Sequence, residues 1–200
     1  MNRFASKERA LAAIHRTEGD RVPFVLTWYP SNRPPPERTD AEEALEDTAS
    51  FWREWVTDCA HTGRFREPLV RSLITLKALT YAPTGGMVAA PTTSLPESLG
   101  GVRNWDYRYC WLRDATLTLL ALVRAGYDDE ARAWRNWLLR AIAGLPDELQ
   151  IMYGIGGEHD LSERELPHLE GWRESKPVRV GNGAWGQTQL DVYGELLNSL

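Results

Sequence analysis

From residue 39 onward the apolar residues recur at helical spacing, and that regularity is broken twice, over 82–113 and 145–185. Both interruptions are far longer than the usual connection of about 4–6 residues. Amphipathic helices carrying two such stretches predict helical hairpins with elaborated loops, and long loops on a packed scaffold are where binding residues concentrate. Thr39 and Glu42 form a capping-box signature for the first helix, in which Ala44, Leu45, Thr48, Phe51, Trp52, Trp55, Val56 and Cys59 repeat to about His61 before Gly63 closes it. Pro68 sits at a permitted first-turn position for a second helix with Leu69, Val70, Leu73, Ile74, Leu76 and Leu79 inward, ending before Pro83. A third begins near Asp114 and runs through Leu117, Leu120, Leu122 and Val123 to Gly126. A fourth starts at Asp128, presents Ala131, Trp134, Leu138, Ala141 and Ile142, and stops at Gly144. The fifth, from about Gly186, places Leu190, Tyr193 and Leu197 on one stripe.

Ahead of the helices, RVPFVLTWY (21–29) reads as one short strand, followed by the Pro-rich SNRPPPERTD. A lone strand needs partners, which points to a sheet domain lying mostly upstream. The charge balance of 23 basic against 28 acidic residues gives −5, with both signs interspersed. That leaves no basic footprint for nucleic acid or an anionic membrane. No apolar run approaches the roughly 18–20 residues of a membrane span, and MNRFASKERA lacks a signal h-region, so a cytoplasmic protein is expected. Cys59 and Cys110 are too few for a disulfide framework, and Cys110 among aromatics reads as a small buried hydrophobe. His15, His61, His159 and His168 show no ligand spacing, so neither a metal nor another cofactor is expected. Nine Trp are unusual. They fit two uses, a core or a sugar site, because the C–H face of a pyranose stacks on an indole while its hydroxyls need charged or amide partners.

The richest segment is 90–120. Trp105, Tyr107, Tyr109 and Trp111 alternate with Asp106, Arg108 and Cys110, predicting an extended strip with one aromatic and one polar face. It ends at Arg113 and Asp114 as a helix begins. Asp114 can cap that helix, or the pair can grip neighbouring sugar hydroxyls through charge-assisted hydrogen bonds. Further on, Gly181, Asn182 and Gly183 permit a tight turn, with Asn182 or Thr188 as a local cap. Alternatively, Arg179 and Asn182 brace a cleft from behind.

Two strings, PTTSLPESLGGVRNWDYRYCWLRDATLTL and YGIGGEHDLSERELPHLEGWRESKPVRVGNGAWGQTQLDVYGELL, resemble the bacterial family 15 glycoside hydrolases, the glucoamylase-like enzymes that include trehalases. The resemblance covers about 22–200. It implies a mainly α chain with the remnant of an N-terminal β-sandwich (1–38), a linker helix (39–65) and the first part of a truncated (α/α)6 toroid (66–200). It also implies inverting hydrolysis of an α-glucoside, a maltooligosaccharide or trehalose, from its non-reducing end. By motif position, Tyr107, Trp111, Arg113 and Asp114 fall on the family's terminal-glucose subsite, and Gly171 and Trp172 on the loop flanking the cleft. Where relatives more often carry Tyr-Arg-Gly-Ser, this chain has Trp172-Arg173-Glu174-Ser175.

Inverting hydrolysis needs a general acid and a general base about 6.5–9.5 Å apart, and the resemblance places both beyond these residues. Asp106, Asp114, Glu158, Glu165, Glu170 and Glu174 each have an ordinary structural reading as caps, solvated charges or weak ion pairs. The expectations are therefore a chain truncated at both ends, inactive alone, with unpartnered apolar helix faces. A non-catalytic carbohydrate-binding remnant is the alternative, and a purely structural helical module stands third.

Overall fold

The computed structural model describes residues 22–143 and 149–199. Arg21, His15, Gly144 and Leu145 lie outside the described residues, and with them the expected start of the strand and stop of the fourth helix. The described fold is mainly α: five α-helices, with strands of only two residues each. The chain divides into two units between Trp55 and Val56.

In the first unit the expected strand is absent. Residues 22–30 are irregular, with 23–30 exposed and Leu26 fully so, because among the described residues no second strand offers them hydrogen-bond partners. A turn follows, closed by Arg33 N donating to Pro30 O at 3.0 Å. Helix α1 (Ala41–Thr57) is capped by Asp40 rather than Thr39: Asp40 Oδ1 accepts from the backbone N–H groups of Glu42 at 3.0 Å and Glu43 at 3.1 Å. Phe51, Trp52 and Trp55 meet edge-on along it, at centroid separations of 5.2 and 6.0 Å.

In the second unit, α1 stops short of His61 because Ala60 N donates to Ala125 O at 2.9 Å, pulling the chain out of the helix. Helix α2 (Arg66–Ala78) buries Leu73 and is tied to Glu130 by the Lys77 Nζ–Glu130 Oε1 ion pair at 2.8 Å. Helix α3 (Leu112–Arg124) starts two residues before Asp114. Its N-cap is Trp111, with no side-chain bond, so the expected Asp114 cap does not form and Asp114 stands in the first turn. Gly126, at φ +97°, reverses the chain into α4 (Asp128–Ala141), whose Trp134, Trp137 and Leu138 form the centre of the core.

Strand β1 (Cys110–Trp111) pairs antiparallel with β2 (Met152–Tyr153), Cys110 opposite Tyr153, and all four residues are buried. A second ladder joins β3 (Arg164–Glu165) to β4 (Arg179–Val180). Residues 183–186 form a single 3-10 turn, and the last helix, expected from about Gly186, has not begun there. Helix α5 (Asp191–Ser199) starts later. Its expected stripe is rotated: Val192 is buried, whereas Leu190, Tyr193 and Leu197 are exposed. On α3, Leu112, Ala115, Leu119 and Leu122 face the core, but Leu117, Leu120 and Val123 remain in solvent, so that helix is apolar on two sides.

Candidate functional site

The strip that leads into α3 is not a two-faced strand. Ala89 N, Ala90 N and Ser94 N donate to the carbonyls of Tyr109, Tyr107 and Trp105 at 2.9, 3.0 and 2.9 Å, and this backbone pairing turns Asp106 and Cys110 into the interior. The polar face expected over Asp106, Arg108 and Cys110 is therefore split, with Arg108 alone at the surface. The aromatic row is split too: Tyr107 is exposed and Trp111 buried, their ring centroids 5.7 Å apart, with Tyr109 6.3 Å from Trp111.

Asp106, 0% exposed, is the centre of the network. Arg108 grips it through Nε to Oδ1 at 2.9 Å and Nη2 to Oδ2 at 2.8 Å, while the Tyr109 hydroxyl (3.1 Å) and Gly181 N (3.2 Å) donate to Oδ2. Burial pushes the Asp106 carboxyl up, but the Arg108 hydrogen bonds and charge, with the Tyr109 hydroxyl, outweigh it and hold the carboxyl below its ordinary range. Asn182 joins in, donating Nδ2 to Asp106 O at 2.9 Å while its Oδ1 accepts from Ala184 N at 3.0 Å. The bond to Ala184 N is the local cap expected at Asn182.

Arg179 is the second anchor. Its guanidinium lies 4.7 Å from the Trp105 ring centroid, donates from Nη1 to Val102 O at 3.0 Å, and places Nε 3.2 Å from Glu163 Oε1. Its backbone N donates to Ser94 Oγ and its carbonyl accepts from Thr93 Oγ1, both at 2.7 Å. The loop holding Gly171 and Trp172 is clasped to the same strip, because Gly100 N donates to the buried Ser175 Oγ at 2.9 Å and Asn104 Nδ2 to Pro177 O at 3.4 Å. A Cβ at Gly171 would strike the Ser175 carbonyl. Trp172 is 58% exposed with the Arg173 guanidinium 5.8 Å from its ring centroid, and Arg173 and Glu174 both occupy positive φ, at 48° and 62°.

Arg113 and Asp114 are exposed at the start of α3. Arg113 Nη1 donates to Gln189 Oε1 and Asp191 Oδ2, each at 3.3 Å, which joins the helix mouth to the start of α5. Asp114, with Met87, Ala89 and Leu117, borders a cavity of about 270 Å³. A larger cleft of about 580 Å³ shares Leu79 and Val88 with it and is bordered by Tyr81, Arg108, Tyr109 and Glu158. Glu158 is seated on glycines: Oε2 accepts from Gly156 N at 3.0 Å, and the carboxylate occupies the space a Cβ at Gly154 would need.

Gln189 and Asp191, as the partners of Arg113, and Asp106, as a hub rather than a candidate acid, were not identified from sequence. The usable signal for Asp106 was its i, i+2 spacing to Arg108, which puts both side chains on one side of an extended segment. Burial pushes the Cys110 thiol up to about 12, with Glu158 adding to the shift, in keeping with a small buried hydrophobe. Among the described residues no group of three or more His, Cys, Asp or Glu could hold a metal ion, and no helix is long and apolar enough to cross a membrane.

The model of the glycosyl hydrolases family 15 matches residues 63–200. The chain is 45% identical over 200 residues to a trehalase of Mycolicibacterium smegmatis, covering 96% of this chain and 29% of that protein. It is 42% identical to a trehalase of Thermoplasma acidophilum, covering 78% of this chain and 26% of that protein. It is 37% identical to trehalase 1 of Sulfolobus acidocaldarius, over 80% of this chain and 28% of that protein. The chain thus spans less than a third of the length of these curated relatives. No solved structure matches.

Proposed function

This chain belongs to the glycosyl hydrolases family 15, and from that premise we propose that it contributes the terminal-glucose subsite of an inverting α-glucoside hydrolase whose substrate is trehalose. The observation that carries the reading is the mouth of α3. There a guanidinium and a carboxylate, Arg113 and Asp114, are adjacent and exposed, and Asp114 borders a cavity large enough for a single pyranose ring. Arg113 donates to hydroxyl oxygens and Asp114 accepts from hydroxyl hydrogens. Charged partners make those hydrogen bonds stronger than neutral ones. Tyr107 offers its exposed ring to the C–H face of the sugar, backed by Trp111, and Gly171 with Trp172 forms the flanking loop. Trehalose is chosen over maltooligosaccharides because the relatives named above are trehalases.

In this reading the acid and base of the inverting reaction come from the remainder of a longer enzyme, as do the other hairpins of an (α/α)6 toroid and a β-sandwich preceding it. A general acid near neutral pH needs a carboxyl raised by its surroundings. Asp106 is moved the opposite way. Titrating the chain with trehalose while following Trp fluorescence tests the subsite. A saturable phase of the Trp response that Arg113→Ala removes is expected, and binding wholly indifferent to Arg113 and Asp114 would overturn the reading. Glucose released from trehalose by this chain alone would overturn the placement of the acid and base.

A further inference from the structure

The cleft of about 580 Å³ lies apart from the residues proposed above: none of Tyr107, Trp111, Arg113, Asp114, Gly171 or Trp172 borders it. Its size falls within the range of small-ligand sites, about 300–1,000 Å³, and its walls are prepared in three ways. Arg108 is fixed on the buried Asp106 through Nε and Nη2, leaving Nη1 as the edge of the guanidinium that Asp106 does not engage. Tyr109 is fixed from both sides of its hydroxyl, which donates to Asp106 and accepts from Gly181 N at 2.9 Å. Glu158 is seated on the backbone at Gly154 and Gly156, which holds its carboxylate without a side-chain partner that would neutralise it.

The chemistry of this lining selects its ligand class. The charge of Arg108 is balanced by Asp106, so the uncompensated charge on the wall comes from Glu158 and Asp160 and is negative. An anion is disfavoured there. A wholly apolar ligand would bury the Glu158 carboxylate and Arg108 Nη1 without partners, at large cost. A neutral polyhydroxylated molecule answers both groups, because each hydroxyl can donate to Glu158 or accept from Arg108. The aromatic rings of Tyr81 and Tyr109 border the same cleft, with Val88 and Ile155, and supply apolar surface for its C–H groups. We propose that this cleft is a second saccharide site, for a neutral mono- or disaccharide, distinct from the terminal-glucose subsite and sharing only the Leu79–Val88 wall with it. The inference rests on the α-glucoside reading solely for its choice of probe.

Calorimetric titration with α,α-trehalose tests it in the Arg113→Ala chain, where the terminal-glucose subsite is disabled. Binding is expected to persist there. It should weaken roughly fivefold to tenfold on adding Glu158→Gln, which keeps the shape but removes the charge from the acceptor. It should disappear on adding Ala78→Trp, which fills the cleft from its exposed rim. Glucose 6-phosphate should bind more weakly than glucose. Near-UV circular dichroism of the buried Trp134 and Trp137 provides the folding control, and neither variant removes a partner of Asp106. If Arg113→Ala abolishes all trehalose binding, the second site is wrong and the subsite reading stands. If residual binding ignores both Glu158→Gln and Ala78→Trp, the second site is likewise wrong. Binding untouched by Arg113→Ala but lost with Ala78→Trp would support the second site and overturn the subsite reading.

Discussion

The network around Asp106 and the helix mouth around Arg113 come from one short strip, yet one is closed and the other open. Asp106 is wholly buried and accepts from Arg108, Tyr109 and Gly181, so these three donors are held in fixed directions. Arg113 is about half exposed and, among the described residues, held by two contacts of 3.3 Å, and Asp114 beside it is exposed. The same residue types thus serve opposite ends. Buried ion pairs fix the loops in one conformation, whereas exposed ones stay available for exchange with ligand hydroxyls. A site that must be held to within fractions of an ångström needs the first kind of region beneath the second.

The largest expected effect tests the closed region. Asp106→Ala leaves Arg108 and the buried side of the Tyr109 hydroxyl without this acceptor, while Gly181 N keeps the Tyr109 hydroxyl oxygen, and each lost hydrogen bond to a charged group costs about 1.5–3 kcal/mol. Urea unfolding should show the midpoint falling accordingly. Asp114→Ala should cost no more than about 1 kcal/mol, the worth of a first-turn carboxylate at a helix N-terminus. Equal losses at the two positions would break the comparison. The contrast extends to pH. Because the folded Asp106 carboxyl is held below its unfolded value, its contribution is fully present above the ordinary carboxylate range and is lost as pH falls through the folded pKa. Stability should therefore drop with acid in the unmodified chain and drop less steeply in Asp106→Asn. An unchanged acid limb would show that Asp106 is not ionised in the fold.

Two backbone positions come next. Gly181 sits at φ +88°, and a Cβ there would run into the Ser162 carbonyl. Gly181→Ala should cost about 2 kcal/mol or more, since a side chain in this conformation is strained by about 1–3 kcal/mol before any clash. Glu174 shows the reverse. It holds φ +62° at the position where the family pattern has Gly, and Glu174→Gly should stabilise the chain by about 1 kcal/mol by removing the left-handed strain. Thermal melts of both variants check the signs, and a destabilised Glu174→Gly would mean that the carboxylate holds the loop.

Much of the helical frame was legible because it depends on local rules. The 3.6-residue spacing located α2 and α4, and the apolar setting of Cys110 was visible from its neighbours. What failed depended on partners distant in sequence. The Val22–Tyr29 stretch has strand-like composition but, among the described residues, no strand to pair with, and the Asp114 cap was pre-empted because pairing of β1 with β2 carries the chain into α3 two residues early. The last helix starts at Asp191 rather than near Gly186, after the Asn182-capped 3-10 turn over 183–186, and its buried residue is Val192. At the site, alternation suggested two faces, but the pairing that turned Asp106 inward comes from 89–94, invisible to local periodicity. The resemblance placed Arg113 and Asp114 on the site, and the structure shows them exposed together. Neither spacing nor motif predicted that Asp191, 78 residues away, would hold Arg113.

The smallest expected effect on stability is the sharpest test of the open region. Arg113 and Asp191 are each nearly half exposed, and an exposed pair contributes only about 0–1 kcal/mol. Arg113→Ala and Asp191→Asn should therefore leave the urea midpoint almost unmoved. Their effects on trehalose binding should differ. Removing the guanidinium deletes a donor to the sugar, whereas Asp191→Asn leaves the donor in place and removes only the charge that orients it, so its affinity should fall less. A double substitution should bind no worse than Arg113→Ala alone, because without the guanidinium Asp191 has nothing to orient. If the losses add instead, Asp191 acts on the ligand independently of Arg113, and the open region is larger than the helix mouth.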